Sequence, residues 1–338
     1  MTKKTSNITI NDIANLAGVS KATVSFYLNG RFDKMSAATA QKIGEIIRTT
    51  GYRPSMIARS LNDKHTKLIG VIIGDITNSF SNRIVKGIDD CAQEKGYQLM
   101  LASSNYQAEK EISCISSMMQ MGVDGFIVQP TIEFDDFWFD SGIDKPIVFF
   151  DSPTASNGLS WVKTNNYEAV FETVGTLAEK GYEEFVMITA DPKVLRTRME
   201  RNKGFSDALI MRDLPSEVLI FGTNTSSQEI EASLQKYLNR DRRTCIFVCD
   251  NWLLDKTYLA LREYYDLIPD HLGLIGFDSL EWSELAVPSI STIVQPAYEE
   301  GKASASILID LIEGKHEKAP NQILSCYTNY LESTNLKK

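Results

Sequence analysis

From Leu68 onward the chain alternates two periods: short apolar runs that suit buried strands, and longer stretches with apolar residues at helical spacing. LIGVIIG (68–74), YQLMLA (97–102), GFIVQP (125–130) and PIVFFD (146–151) read as strands, with helices near 79–95 and 107–121. Continuous apolar strands alternating with helices specify a parallel sheet, because each crossover lays a helix over a sheet face. A second series repeats this: EFVMITA (184–190), VLIFG (218–222), TCIFVCD (244–250) and LGLIGFD (272–278), with helices near 166–180, 199–212, 227–239 and 252–265. Two lobes of one α/β architecture follow. The last stretch, STIVQPAYEEGKASASILIDLIEG, supplies a strand and a helix able to cross back to the first lobe.

The first 53 residues follow only the helical period. Ile10, Ile13, Ala14 and Ala17 share one helix face, Gly18 stops the helix, and Ser20 caps a second one through Leu28. Ser36 caps a third, in which Ala40, Ile43, Ile46 and Ile47 form the apolar face; Thr50-Gly51 ends it and Pro54 blocks its continuation. Ala14 and Gly18 let the first two helices approach while Val19 and Val24 fill the space between them, the pattern of a helix-turn-helix. Ser20, Lys21, Thr23 and Ser25 give the second helix a small, polar surface, suited to a DNA major groove. Ser55 to Leu61 is helix-compatible but only two turns long, so it needs a partner to fold. The expected divisions are a headpiece over 1–53, a hinge helix and linker over 54–66, and a two-lobed core over 67–338.

Charge divides the same way. Residues 1–64 carry ten Lys/Arg against four Asp/Glu, so the net −9 of the chain splits into +6 there and −15 in the remainder. A basic unit on an acidic body is drawn to a polyanion by one end only. With 43% hydrophobic residues the chain has enough apolar content for folded cores. It contains no run of about 18 apolar residues, and MTKKTSNITI lacks the apolar segment of a secretory signal, so a cytoplasmic protein without membrane contact is expected. The five cysteines, Cys91, Cys114, Cys245, Cys249 and Cys326, are odd in number and sit mostly in apolar runs, which fits reduced thiols.

No catalytic constellation is visible. GVIIGD lacks the spacing of a dinucleotide loop, no P-loop or GxSxG elbow occurs, and His65, His271 and His316 lack metal-ligand spacing. Neither enzyme activity nor a cofactor or metal is expected, and an enzyme fused to a headpiece is disfavoured by the missing phosphate loops. Asp250-Asn251 and Asp278 instead end strands, where open α/β sheets bind ligands and carboxylates accept bonds from sugar hydroxyls.

The string TINDIANLAGVSKATVSFYLNG, then GYRPSMIARSL, IGVIIGDITNSF, GFIVQP, VKTNNYEAV, LIGFD and STIVQP, resembles the LacI/GalR family of bacterial transcriptional regulators over the whole chain. The resemblance implies a DNA-binding headpiece, a hinge helix and a core like the periplasmic sugar-binding proteins, acting as a homodimer on a pseudo-palindromic operator. It assigns Thr9, Ser20, Thr23, Ser25 and Asn29 to phosphate contact and orientation, Lys21, Ala22 and Phe26 to base edges, and includes Tyr52 in the interface. Phe26 stands where the family often has arginine, which leaves contact with a thymine methyl or packing against Tyr27 or the next helix. NGRFDKMS is one residue longer than the common turn, and Asn62 replaces a frequent lysine. Ala58 and Leu61 match residues that enter the minor groove, where paired leucines wedge between base steps.

The same resemblance lines an interlobe cleft with Phe80, Gln129, Asn165, Arg201, Asp250, Asn251, Asp278 and Gln295, with Asp250-Asn251 inverting the usual order. Arg196 and Arg198 join Arg201 in DPKVLRTRMERNKGF, and three guanidiniums favour an anionic effector unless the first two are solvent-exposed or paired with Asp191 and Glu200. Within the family, GDITNSF, FIVQPT, SWVKTNN and LIGFD resemble regulators of ketodeoxygluconate and uronate use, implying a sugar-acid inducer. The expectation is a dimeric repressor of carbohydrate use, released when ligand closes the cleft and separates the hinge helices. The alternatives are a regulator that uses a corepressor or phosphocarrier partner, or one that senses a neutral sugar or phosphosugar. The chain ends at ESTNLKK with no leucine heptad, so a tetramer is not expected.

Overall fold

In the computed structural model, which describes residues 8–52, 65–153, 158–238, 242–278, 280–316 and 320–336, Thr9 opens α1 (Ile10–Ala17) with a capping box. Asp12 N–H donates to Thr9 Oγ1 at 3.4 Å, and Thr9 N–H returns a bond to Asp12 Oδ2 at 2.8 Å. Gly18, at φ +67°, ends α1 in the left-handed conformation. Ser20 caps α2 (Lys21–Leu28) through Thr23 N–H, and Ser36 caps α3 (Ala37–Thr50) through Thr39 N–H. Ile13, Ala14, Ala17, Val24 and Ile43 close a small core between the three helices. So small a core supports few losses, since each buried aliphatic side chain contributes only about 1.5–3 kcal/mol.

This headpiece belongs to one compact unit, Met1–Thr66; the second is Lys67–Lys338. The hinge segment, with Ala58 and Leu61, falls outside the described residues.

The second unit holds two sheets of matching topology. The first sheet uses β1 (Leu68–Ile73), β2 (Gln98–Ser103), β3 (Gly125–Val128), β4 (Ile147–Phe150), β5 (Ser160–Thr164) and β11 (Gln322–Leu324) in the order 11-5-4-3-1-2, all parallel. The second uses β6 (Glu184–Thr189), β7 (Ser216–Ile220), β8 (Thr244–Val248), β9 (Leu272–Phe277), β10 (Ser291–Val294) and β12 (Tyr327–Asn329) in the order 12-10-9-8-6-7, with only β12 antiparallel. Each sheet carries an apolar cluster on both faces, as buried parallel strands require.

The helix Ala297–Ile312 does cross back to the first lobe, where it packs on Ser79–Glu94. Two glycines permit the approach: a Cβ on Gly87 would lie 2.0 Å from Tyr298 O, and one on Gly301 2.1 Å from Ile84 O. The chain thus passes between lobes near Asn165, Gln295 and Ser325.

Some elements depart from the sequence reading. The helix expected over 199–212 starts earlier, as Arg196–Ile210; its first turn lacks a side-chain cap, so the sequence carried no start signal there. The helix expected over 252–265 spans Asn251–Ala260 and tightens into a 3-10 turn, Arg262–Leu267. β5, β11, β12 and the helix Phe134–Asp140 are additional.

Candidate functional site

Five predicted effector residues follow directly from this topology. Gln129, Asp250, Asp278 and Gln295 each lie one or two residues past the carboxyl end of a strand, and Asn251 begins the helix after β8. Strand ends at the switch point of a doubly wound sheet converge on a crevice. Both sheets present theirs to one cavity, which is also lined by Phe80, Arg198 and Arg201. Its volume is about 40 Å³, room for one or two waters, so a six-carbon ligand must part the lobes or displace side chains.

Arg198 and Arg201 enter from the Arg196–Ile210 helix, which is held close to Asn166–Lys180 because a Cβ on Gly204 would meet Tyr167 O at 2.4 Å. Arg201 is consumed by the protein. Its Nε donates to Asn166 Oδ1 at 2.7 Å, Nη1 to Cys249 O at 3.1 Å and Nη2 to Gln295 Oε1 at 3.2 Å, and the guanidinium lies 3.7 Å from the Phe277 ring centre. Arg198 commits only Nε, to Asp250 Oδ1 at 2.7 Å, and its guanidinium lies 5.4 Å from the Tyr106 ring centre. Its Nη groups have no hydrogen-bond partner among the described residues.

Asp250 is buried and fully engaged, because Oδ2 accepts from Ala190 N–H at 2.9 Å and Thr189 Oγ1 at 3.1 Å. Burial would raise its pKa, but the Arg198 charge, the Ala190 N–H and Arg201 outweigh burial and hold it below the ordinary value. Asp278 is the opposite case: burial dominates the attraction of Arg83 and Arg201 and pushes it up to about 6. Asp278 Oδ1 sits 2.6 Å from Arg83 Nη2, while Oδ2 has no partner.

Asp151 completes the floor, a role the sequence reading missed although it follows β4 in the same way. Gln129 Nε2 donates to Asp151 Oδ2 at 2.8 Å, Gly74 N–H donates to Gln129 Oε1 at 2.8 Å, and Asp151 Oδ1 is unpartnered. Behind it lies Glu300, fully buried, which accepts from Asp151 N–H at 2.6 Å. Burial, then the Asp151 charge, raise Glu300 well above the ordinary carboxylate range.

The lobes touch directly around the cavity. Asn78 and Asn251 exchange amide bonds at 3.2 and 2.7 Å, Arg83 reaches Asp278 and Glu281, Lys163 pairs with Glu200, and Ile132 N–H donates to Val194 O at 3.3 Å. Asn78, Tyr106, Leu195, Thr197, Trp252 and Phe277 line the cavity without having been predicted. Most come from loops or helix starts whose side chains carry no distinctive local pattern.

Two predicted effector residues are not in the lining. Asn165 sits at a crossover, where Oδ1 accepts from Cys326 N–H at 2.7 Å; its neighbour Asn166 is the one that meets Arg201. Arg196 opens its helix half-buried and outside the lining, and Arg198 pairs with Asp250, not with Asp191 or Glu200.

In the headpiece, Lys21, Ala22 and Asn29 are exposed, and Thr23, Ser25 and Phe26 half-buried. Thr9 and Ser20 spend their hydroxyls partly on caps, and Tyr52 is half-buried and packs against the core.

Residues 9–55 match the description "Bacterial regulatory proteins, lacI family", and residues 174–334 match a "Periplasmic binding protein-like domain". The chain is 30% identical over 314 residues to the probable HTH-type transcriptional regulator EndR of Paenibacillus polymyxa, covering 91% of this chain and 92% of that one. It belongs to the LacI family of bacterial regulatory proteins. The HTH-type transcriptional regulator KdgR of Bacillus subtilis (strain 168) is 29% identical over 316 residues, covering 92% and 93% of the two chains. A crystal structure of the lac repressor dimer bound to operator and the anti-inducer ONPF matches with a TM-score of 0.83 at 20% identity, over 98% of this chain and all of that one. A LacI transcriptional regulator from Alkaliphilus metalliredigens QYMF complexed with D-xylulofuranose matches with a TM-score of 0.69 at 26% identity, over 80% and 99%. This LacI-family chain is thus an HTH-type transcriptional regulator with a periplasmic-binding-protein-like domain, not an enzyme. No helix among the described residues is long and apolar enough to cross a membrane.

Proposed function

We propose that this repressor acts as a cytoplasmic homodimer on the operator of a carbohydrate-use operon and is released by a small sugar acid of the 2-keto-3-deoxygluconate or uronate kind. The observation that carries the ligand class is the uncommitted Nη fork of Arg198 beside two unpartnered carboxylate oxygens, Asp151 Oδ1 and Asp278 Oδ2. A guanidinium fork suits a carboxylate, and free carboxylate oxygens suit hydroxyl donors. Phe80, Tyr106, Trp252 and Phe277 offer apolar walls.

Phosphate contact falls to Thr9, Ser20, Thr23, Ser25 and Asn29, base contact to Lys21, Ala22 and Phe26, and minor-groove entry to Ala58 and Leu61. For the homodimer, Leu259, Leu285 and Val287 are 51%, 80% and 78% exposed, and Tyr258 OH bonds both the N–H and the carbonyl of Val287, tying the Val287 loop to the Asn251–Ala260 helix that carries Leu259. A second copy is the occupant proposed, in keeping with the lac repressor's own dimer.

The lobes meet directly over so small a cavity that parting them is the route proposed for ligand entry, which changes their angle. A coupling of about 1–3 kcal/mol between that angle and hinge-helix pairing lowers operator affinity several-fold to a hundredfold. A second reading, a neutral sugar, is favoured by the pairing of Arg198 with Asp250, which already offsets its charge.

The test is operator affinity at fixed salt with neutral sugars, phosphosugars and sugar acids, on DNA from upstream of the chain's own gene. Loss of binding with a sugar acid alone supports the proposal; response only to a neutral sugar or phosphosugar overturns the ligand class, and tighter binding overturns the sign of control.

A further inference from the structure

Phe26 lies on the α2 stripe that includes Ala22, four residues earlier, yet it takes no part in the headpiece core. Its ring is covered by Arg31, whose guanidinium carbon lies 5.3 Å from the ring centre. Arg31 is exposed and pairs with no carboxylate among the described residues. The loop that carries it is fixed on both sides. Gly30, at φ +69°, turns the chain back, Arg31 N–H donates to Phe26 O at 2.9 Å, and Phe32 packs edge-on against Tyr27 with ring centres 5.5 Å apart. Tyr27 is in turn fitted against Gly44 of α3, where a Cβ would lie 2.5 Å from its hydroxyl.

The longer turn therefore returns a cation to the recognition helix instead of carrying it away. A phenyl ring holds a guanidinium by cation–π attraction and orients its plane, leaving the N–H donors directed outward. We propose that Arg31 and Phe26 form one composite reader, in which the ring positions the Arg31 fork for bidentate contact with a guanine at the edge of the half-site. Phe26 is then a positioning residue and Arg31 a specificity-determining one. This rests on the reading that α2 faces the major groove.

The experiment selects a randomised double-stranded DNA library with the full chain, then measures affinity for every single-base variant of the selected half-site at fixed salt. Arg31→Ala and Phe26→Leu should each erase a preference of about tenfold to a hundredfold at the same G·C pair. The double variant should lose no more than either single one, and Arg31→Lys should not restore the preference, since an ammonium has no planar fork. Loss by Arg31→Ala that is uniform across sequences, with a salt slope reduced by about one, would mark a phosphate contact and overturn the proposal. A preference that survives Phe26→Leu also overturns it. Lys21→Ala separates the two levels: if it shifts a base preference and Arg31→Ala does not, only the composite reader falls, whereas if neither does, the reading of α2 falls with it.

Discussion

Arg198 and Asp250 form a buried pair at 2.7 Å in which the carboxylate is spent entirely on the protein and the guanidinium only in part. The pair is both a brace between the Arg196–Ile210 helix and β8 and a wall of the cavity. Removing one partner leaves the other charge buried without compensation, which costs about 3–5 kcal/mol. Arg198→Met should therefore lower the melting temperature of the core and abolish the ligand response. Adding Asp250→Asn should recover much of the stability but none of the response; a double variant no more stable than the single one would mean that the two do not act as a pair.

Asp278 gives the core a pH dependence of known sign. Its unfolded value is 3.8 and its folded value about 6, so the folded state holds the proton more tightly. The resulting stabilisation is complete below pH 3.8 and is lost as pH rises to about 6, at about 1.4 kcal/mol per unit and up to about 3 kcal/mol in all. Chemical denaturation at stepped pH should show this decline, and Asp278→Asn should make it shallower, leaving the like-signed part from Glu300. Asp250, depressed by Arg198, acts in the opposite sense at lower pH.

The reciprocal amides of Asn78 and Asn251 latch the lobes together. Two neutral hydrogen bonds contribute about 0.5–1.5 kcal/mol each, so Asn251→Ala should raise the open population up to roughly a hundredfold. Fluorescence transfer between dyes on the two lobes would read the change, and an unaltered distance distribution would count against a latch.

Val287→Asp places a charge in the proposed dimer face at a side chain that is 78% exposed and outside the core cluster. Sedimentation should show monomers, and operator affinity should fall by two or more orders of magnitude as paired half-sites lose their linkage. A stable dimer with Val287→Asp would move the interface elsewhere.

The α/β architecture was legible because buried parallel strands are apolar on both faces, as LIGVIIG and TCIFVCD are. β11 and β12 escaped because QIL and YTN are three-residue edge strands, half exposed and too short to show a period. In the site, Asp250 and Asp278 were legible from strand ends, and Asp151 had the same signal at the end of β4. The partners were not: nothing local in a sequence joins Arg198 to a carboxylate 52 residues away, or distinguishes Asn165 at a crossover from Asn166 beneath Arg201. For Phe26 the sequence left contact with a thymine methyl or packing against its neighbours open, and the return of Arg31 over it depends on the turn at Gly30.

The return of Ala297–Ile312 and β11 to the first sheet also shapes how the chain is made. On the ribosome, β1 to β5 emerge long before the helix that covers Ser79–Glu94, so Ile84, Ile88 and their neighbours wait uncovered while β6 to β10 of the second sheet are synthesised. Premature termination anywhere before Ala297 leaves both lobes incomplete, and such fragments are natural clients for chaperones and proteases.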